Sequence, residues 1–215
     1  MVSLIPSLFV AFLIEQLYAL NFHFPHPPSG LVYPHSLQLL KTLSVIATLT
    51  AWKPIMDYPT ATPVYLTTPP SICFLASLGL FAWTATEARP RQLSVIYGRV
   101  TPNKVLSSGP FAHVRHPTYV AYALGWIGAV IHVFAVLVVG GATDRGWMPA
   151  PIRVMTLVAS VLGLFWLYRR GAVLEEQQFL QNRETVEGQK VGEDVRVEYL
   201  AYVRQVGSRW IAGVI

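Results

Sequence analysis

Residues Gly109 to Tyr119 read GPFAHVRHPTY and stand at the start of a long apolar run. An acidic pair, Glu175-Glu176, follows just past the next apolar run. Ionisable residues crowded at a membrane boundary are costly and usually mark a functional site. Because these two elements flank one helical hairpin, we expect them to meet at the same face of a bilayer.

The composition of the whole chain is that of a membrane protein. Hydrophobic residues make up 53% and charged residues 13% of the 215 residues, against about 25% charged in a soluble domain. We predict an all-α, polytopic integral membrane protein with about five transmembrane helices and a cytosolic helical tail at the C-terminus. Five apolar stretches carry this prediction, at residues 4–20, 37–51, 72–85, 119–139 and 152–168. A span needs about 17–25 residues, so the second and third stretches are short.

The basic residues predict the orientation. Lys and Arg collect between the third and fourth stretches and after the fifth, and such loops face the cytoplasm. Five spans then place the N-terminus outside and both motifs at the cytosolic face. The first stretch lacks a basic start and is interrupted by Glu15, so we interpret it as an uncleaved span and not a signal peptide. The net charge of +5 reflects these loops and does not indicate nucleic acid.

The positions of the prolines predict where the helices are interrupted and where one long helix continues. Residues 22–34 and 53–70 are rich in proline and are predicted to be extended or turned. From residue 152 to about 181 there is no proline, which predicts one helix of about 45 Å against about 30 Å of hydrocarbon. Its last turns carry the acidic pair into the cytosol. Residues 194–206 have apolar side chains at near-helical spacing and are interpreted as an amphipathic helix folding back as a lid.

This order of motifs resembles the isoprenylcysteine carboxyl methyltransferase family, membrane enzymes that use S-adenosylmethionine. That family carries a G-P-[YF]-x-x-x-R-H-P-x-Y-x-G block, an apolar hairpin, an E-E pair and a Y-x-x-Y stretch, supplied here by Tyr199 and Tyr202. Ala121 replaces the glycine that ends the block, and the segment from Gln177 to Glu198 is longer and more polar than in the family. The resemblance covers about half the chain. It divides the sequence into an N-terminal transmembrane region with a basic connector (1–108) and a catalytic core (109–215).

The resemblance implies the chemistry and the roles of individual residues. The reaction would transfer a methyl group from S-adenosylmethionine to the C-terminal α-carboxylate of a prenylated cysteine. The partners would be prenylated CaaX-processed proteins or prenylcysteine-like lipids, together with membrane lipid, at the endoplasmic reticulum. Catalytic roles fall to Arg170, Glu175 and Arg115, and substrate binding to Arg170 and Arg209. The cofactor-binding set is His113, Arg115, His116, Pro117, Tyr119, Glu175, Glu176, Tyr199 and Tyr202.

The residues themselves allow more than one interpretation. Pro117 can start a helix whose free amide groups, next to Arg115, suit an anionic group. The same cluster could be an ordinary set of interfacial positive charges, and the acidic pair an ordinary solvated surface pair. Arg170 could bind a substrate carboxylate or simply reach for the interface. His113 and His116 are three residues apart, but Pro117 makes a helix through both improbable, so no metal site is predicted.

Other functions remain open at this stage. A carboxylate with a pKa of about 3.5 is already ionised and needs no general base, whereas a phospholipid amine must first lose a proton. Methylation of a phospholipid or another small amphiphile is therefore the first alternative. A sterol-reductase-like enzyme using NADPH is the second, although Pro117 and Thr118 depart from the R-H-x-N-Y pattern of that class. A membrane scaffold without catalytic activity is the third.

Overall fold

The computed structural model describes residues 4–18, 34–57, 64–88, 105–139, 148–180 and 193–210. Within these ranges the chain is all-helical, which confirms the predicted fold class. The helices are α1 (Leu4–Tyr18), α2 (Pro34–Met56), α3 (Val64–Ala88), α4 (Pro117–Val139), α5 (Ala150–Leu180) and α6 (Glu193–Gln205), with a 3₁₀ turn at Gly109–Ala112 just before α4.

Three of these helices are long and apolar enough to cross a membrane. They are Tyr65–Ala88 in α3, Pro117–Leu137 in α4 and Ala150–Gln177 in α5. Their length and composition indicate a membrane protein, as predicted.

The other two predicted spans, as far as their residues are described, are not long and apolar enough to cross a membrane. Helix α1 has only 15 residues, too few for about 30 Å of hydrocarbon. Helix α2 has 23 residues, but Lys41, Lys53 and its hydroxyl side chains lower its mean hydropathy. The described helices thus supply three spans where about five were expected, and the five-span topology stays a prediction.

The prediction that residues 53–70 are extended or turned is wrong where they are described. Pro54 lies inside the last turn of α2, and Pro69 and Pro70 lie inside α3. The two amides missing at Pro69 and Pro70 would have bonded to the carbonyls of Tyr65 and Leu66, four residues earlier. The missing hydrogen bonds are therefore confined to the N-terminal part of α3.

The elements that carry the motifs are as predicted. Helix α4 starts at Pro117, and α5 runs unbroken for 31 residues. At 1.5 Å per residue α5 is about 46 Å long, so roughly 15 Å extends beyond a hydrocarbon core of about 30 Å. Helix α6, Glu193–Gln205, lies within one residue of the predicted amphipathic helix. Residues 181–192 lie outside the described residues, as does the predicted connection at 22–34 apart from Pro34.

Aromatic contacts fix the relative direction of α1 and α4. The ring of Phe12 meets that of Trp126 edge to face, with 5.1 Å between centroids. One to two turns further along α1, Tyr18 meets Phe81, which in turn meets Tyr122. The two helices are therefore antiparallel, so the C-terminal end of α1 and the N-terminal end of α4 lie at the same end of the bundle.

Both predicted regions of the sequence contribute to one hydrophobic core. Buried residues of 1–108, such as Phe9 and Phe74, belong to the same cluster as Trp126 and Leu164 of 109–215. A separate catalytic role for residues 109–215 stays a prediction.

The closest approach of α1 to α4 occurs at Gly125. A Cβ atom added there would lie 2.1 Å from a ring carbon of Phe12, and Phe12 is fully buried. At Gly79, on an exposed position of α3, an added Cβ would meet nothing within 4 Å.

We predict that Gly125→Ala lowers the free energy of unfolding by about 1–3 kcal/mol, because the buried ring cannot move aside without repacking. Gly79→Ala is the matched control and should be neutral or stabilising by up to about 1 kcal/mol. Thermal unfolding of both variants in detergent micelles measures the difference. Equal stabilities would show that α1 does not pack on α4 at this glycine.

Candidate functional site

The turn before α4 depends on a glycine. Gly109 has φ of 57°, in the left-handed region that favours glycine. A Cβ there would also lie 3.2 Å from the side chain of Glu87 at the end of α3, and the Ser108 hydroxyl donates to the carboxylate of Glu87. The turn therefore holds the start of α4 against the end of α3, and it places Arg115 just ahead of the helix.

The two sequence motifs meet, as their spacing predicted. Arg115 Nη1 donates to Oε1 of Glu176 at 3.0 Å. The ring of His116 lies between the two carboxylates, with Nε2 3.1 Å from Oε1 of Glu176 and Nδ1 3.2 Å from Oε2 of Glu175. About sixty residues separate these partners in the chain. The N-terminal end of α4 is thus bound to the last turns of α5.

A segment after α6 closes over this cluster. Arg209 binds Glu176 through two hydrogen bonds, from Nε to Oε1 at 2.9 Å and from Nη2 to Oε2 at 2.6 Å. Arg115 in turn donates from Nη2 to the carbonyl of Gly207 at 2.9 Å and from its amide to the carbonyl of Ser208 at 3.1 Å. We call residues 207–210 the tail segment. Glu176 is the common acceptor for both arginines and for His116.

Aromatic rings flank the cluster. Trp210 of the tail segment lies 5.9 Å from Tyr119 and 6.4 Å from His116 between ring centroids. Tyr119 is stacked on Tyr168 of α5, with 5.6 Å between centroids. These rings lower the dielectric next to the charged groups, which strengthens each ion pair.

Helix α6 packs back onto the site, as predicted. Tyr199 stacks on Phe179 of α5 at 4.7 Å, and the Tyr202 hydroxyl donates to the carbonyl of Phe111 at 2.7 Å. Burial of both tyrosines raises the pKa of their hydroxyls well above the usual range, so both are neutral at physiological pH. Tyr199 and Tyr202, the two tyrosines of the Y-x-x-Y stretch, thus connect α6 to the end of α5 and to the turn before α4.

Two buried polar atoms of the site have no hydrogen-bond partner among the described residues. They are Nε of Arg115 and the hydroxyl of Tyr199. The Tyr199 hydroxyl lies beside the Arg115 guanidinium, and this contact and the positive charge of Arg115 both act on the hydroxyl. Buried polar atoms without a hydrogen bond of full geometry are uncommon in proteins.

Two predicted residues lie apart from the cluster. Arg170 is exposed, and its guanidinium carbon lies 5.5 Å from the centroid of the Trp166 ring on the outer face of α5. This placement suits an arginine that reaches for the interface. His113 is also exposed and packs against Trp83 at 6.3 Å. Neither side chain takes part in the hydrogen bonds or ion pairs around Glu176.

Sequence reasoning missed some contributors to the site. It assigned Arg209 to a substrate carboxylate, whereas the structure joins it to Glu176. It also did not single out the carbonyls of Gly207 and Ser208 or the ring of Trp210 as site groups. Trp210 follows Arg209 directly, and an aromatic residue beside a basic one near a membrane boundary was the available signal. Within the described residues, no group of three or more His, Cys, Asp or Glu side chains is arranged so that it could hold a metal ion.

The environment of His116 favours its protonated form. Burial of the ring lowers its pKa, but hydrogen bonds to Glu175 and Glu176 and their charges raise it by more, so the net direction is upward from about 6.5. The geometry agrees, since only an imidazolium can donate from both ring nitrogens. The site then holds three cationic side chains around two carboxylates.

Comparison with family models, with characterised proteins and with solved structures finds no match to this chain. The geometry of the site and the sequence motifs are therefore the grounds for assigning a function.

We predict a pH dependence of stability that comes from His116. A group whose pKa is raised by folding stabilises the fold fully below its unfolded pKa of about 6.5, and this contribution is lost as the pH rises through the folded value. The difference in unfolding free energy between the wild type and His116→Gln should thus be largest near pH 6 and shrink at higher pH. Denaturant titrations in detergent between pH 5.5 and 9 measure it. A difference that is constant over this range would show that folding leaves the pKa of His116 unshifted, and a difference that grows with pH would show that the buried ring is neutral.

Proposed function

We propose that this chain is a membrane methyltransferase that transfers a methyl group from S-adenosylmethionine to the C-terminal α-carboxylate of a prenylated cysteine. The observation that carries this proposal is the contact of Arg115 and His116 with the acidic pair, Glu175 and Glu176. Those are the two motifs on which the resemblance to isoprenylcysteine carboxyl methyltransferases rests. Their meeting at one end of an apolar bundle supports a shared site.

The groups available at the site fit the polar parts of the cofactor. S-adenosylmethionine has a carboxylate, an ammonium group and ribose hydroxyls. The Nε of Arg115, which has no hydrogen-bond partner among the described residues, and the hydroxyl proton of Tyr199 are suited to the carboxylate. Within the described part of the chain, Glu175 is joined to His116 through Oε2, and its other oxygen suits the ammonium group or a ribose hydroxyl. When bound, the cofactor supplies a methyl group activated by its sulfonium centre.

The chain's own task is to position the acceptor carboxylate. That group is ionised at neutral pH and needs no base, so alignment and removal of water are what the site must provide. Arg115, His116 and Arg209 give the site a surplus of positive charge over its two carboxylates. The rings of Tyr119 and Trp210 keep water from its membrane side. Arg170, exposed beside Trp166, would meet a carboxylate that arrives through the lipid.

The proposal includes a location for the reaction. We expect five spans, with α1 and α2 completing the three long apolar helices, and a C-terminal tail in the cytosol. The site would then face the cytosol at the endoplasmic reticulum membrane, where prenylated CaaX-processed proteins or prenylcysteine-like lipids reach it.

We predict that Glu175→Gln weakens S-adenosylmethionine binding by about 10- to 150-fold, because a charge-assisted hydrogen bond of about 1.5–3 kcal/mol is lost. Glu175 suits the test better than Glu176, which also holds the tail segment in place. The matched control is Glu198→Gln, the same change at an exposed position of α6, which should bind the cofactor as the wild type does. Isothermal titration of the purified chains in detergent measures both affinities, and equal affinities in the two variants would contradict the proposal.

The identity of the methyl acceptor is tested with the same purified chains in detergent. Tritiated S-adenosylmethionine should label farnesylcysteine and leave cysteine without a prenyl chain unlabelled. Base-labile release of methanol identifies the product as a methyl ester. Labelling of phosphatidylethanolamine but not of farnesylcysteine would instead identify the chain as a phospholipid methyltransferase. If the folded chain does not bind S-adenosylmethionine, both the prenylcysteine and the phospholipid methyltransferase assignments are wrong.

A further inference from the structure

A second group of buried polar side chains lies inside the bundle, away from Glu176. Glu15 of α1 is only 5% exposed, and neither of its carboxylate oxygens has a hydrogen-bond partner among the described residues. The same holds for the amide nitrogen of Gln16, also 5% exposed, and for the indole nitrogen of Trp126, which is fully buried. An ionised carboxylate in apolar surroundings is costly, so the charge of Glu15 must be neutralised by a proton or by a cationic partner.

The contact of α1 with α4 brings Glu15 close to one face of α4. Phe12, one turn before Glu15, touches the Trp126 ring at 5.1 Å. Tyr122 lies one turn before Trp126 on α4, is buried, and is within electrostatic range of Glu15. The antiparallel arrangement thus brings Glu15 beside the α4 face that carries Tyr122 and Trp126.

The chemistry of these four side chains points to a ligand that carries a cation with polar oxygens close to it. A carboxylate attracts positive charge, and the ring of Tyr122, which lies within electrostatic range of Glu15 and packs against Phe81, has a negative face that favours ammonium groups. The nitrogens of Gln16 and Trp126 are donors, which match the phosphate or ester oxygens that accompany an ammonium in a phospholipid. A free anion is disfavoured by Glu15.

The position of the group is one that a lipid can reach. Tyr122 lies five residues into α4, about 8 Å along the helix axis from Pro117, on the hydrocarbon side of the Arg115–Glu176 contact. Beside Glu15, the side chains of Ile14 and Leu17 on α1 are 62% and 59% exposed. These apolar side chains would lie against lipid, so α1 borders the bilayer directly.

We propose that Glu15, Gln16, Tyr122 and Trp126 form a site for the ammonium headgroup of a membrane phospholipid such as phosphatidylethanolamine. This site is separate from the one around Glu176, and the proposal does not depend on the methyltransferase assignment. It requires only that the ammonium group binds, not that it reacts.

The experiment measures lipid binding to the full chain. The purified, delipidated protein is titrated in detergent with phosphatidylethanolamine, phosphatidylcholine or phosphatidylglycerol of equal chain length, and bound lipid is counted by native mass spectrometry. The wild type should bind the two ammonium lipids at least tenfold more tightly than phosphatidylglycerol. Glu15→Gln should remove this preference, and Glu198→Gln should keep it.

Several results would overturn the proposal. If the wild type shows no preference among the headgroups, the proposal is overturned even when Glu15→Gln fails to fold. If Glu15→Gln folds and keeps the preference for ammonium lipids, the proposal is overturned as well. Competition by free ethanolamine at the lipid's own concentration would assign the site to a soluble amine in place of a lipid. A loss of thermal stability in Glu15→Gln that is equal with and without ammonium lipid would show that Glu15 bonds within the chain.

Discussion

The carboxylate of Glu176 accepts hydrogen bonds from Arg115 at the start of α4, from His116 next to it, and from Arg209 after α6. Since Glu176 is itself near the end of α5, one side chain joins three separate parts of the chain. Its residue is 8% exposed, so the attraction is screened little by water. Removal of one member of a buried ion pair typically costs about 3–5 kcal/mol, because the remaining charge is left unpaired.

The cost of gathering these charges at a membrane boundary argues that they serve a purpose beyond stability. A well-packed apolar cluster of similar volume would stabilise the same contact as well or better. What the charges provide is a polar cluster flanked by the rings of Tyr119 and Trp210. The proposed methyl transfer to a prenylated carboxylate requires such a set of charged groups next to lipid.

Much of this arrangement could be predicted from the sequence because it follows from local rules. Two motifs that flank a helical hairpin meet at one end, and a run without proline continues as a helix, which gives the position of Glu176. Long-range details could not be predicted. The binding of Arg209 to Glu176 depends on the path of the tail segment, and the helical start of α3 was hidden by Pro69 and Pro70. Glu15 was noticed only as an interruption of an apolar run, although a charge in that setting is itself a signal.

The central claim is that Glu176 binds the tail segment to the hairpin of α4 and α5, and a double-mutant cycle tests it most directly. The unfolding free energies of Glu176→Gln, Arg209→Leu and the double variant are measured in mixed micelles, with Glu198→Gln and Arg209→Leu as the control pair. The account predicts a coupling energy of about 0.5–3 kcal/mol for Glu176 with Arg209, and additivity within about 0.5 kcal/mol for the control. Additive effects in both pairs would contradict it.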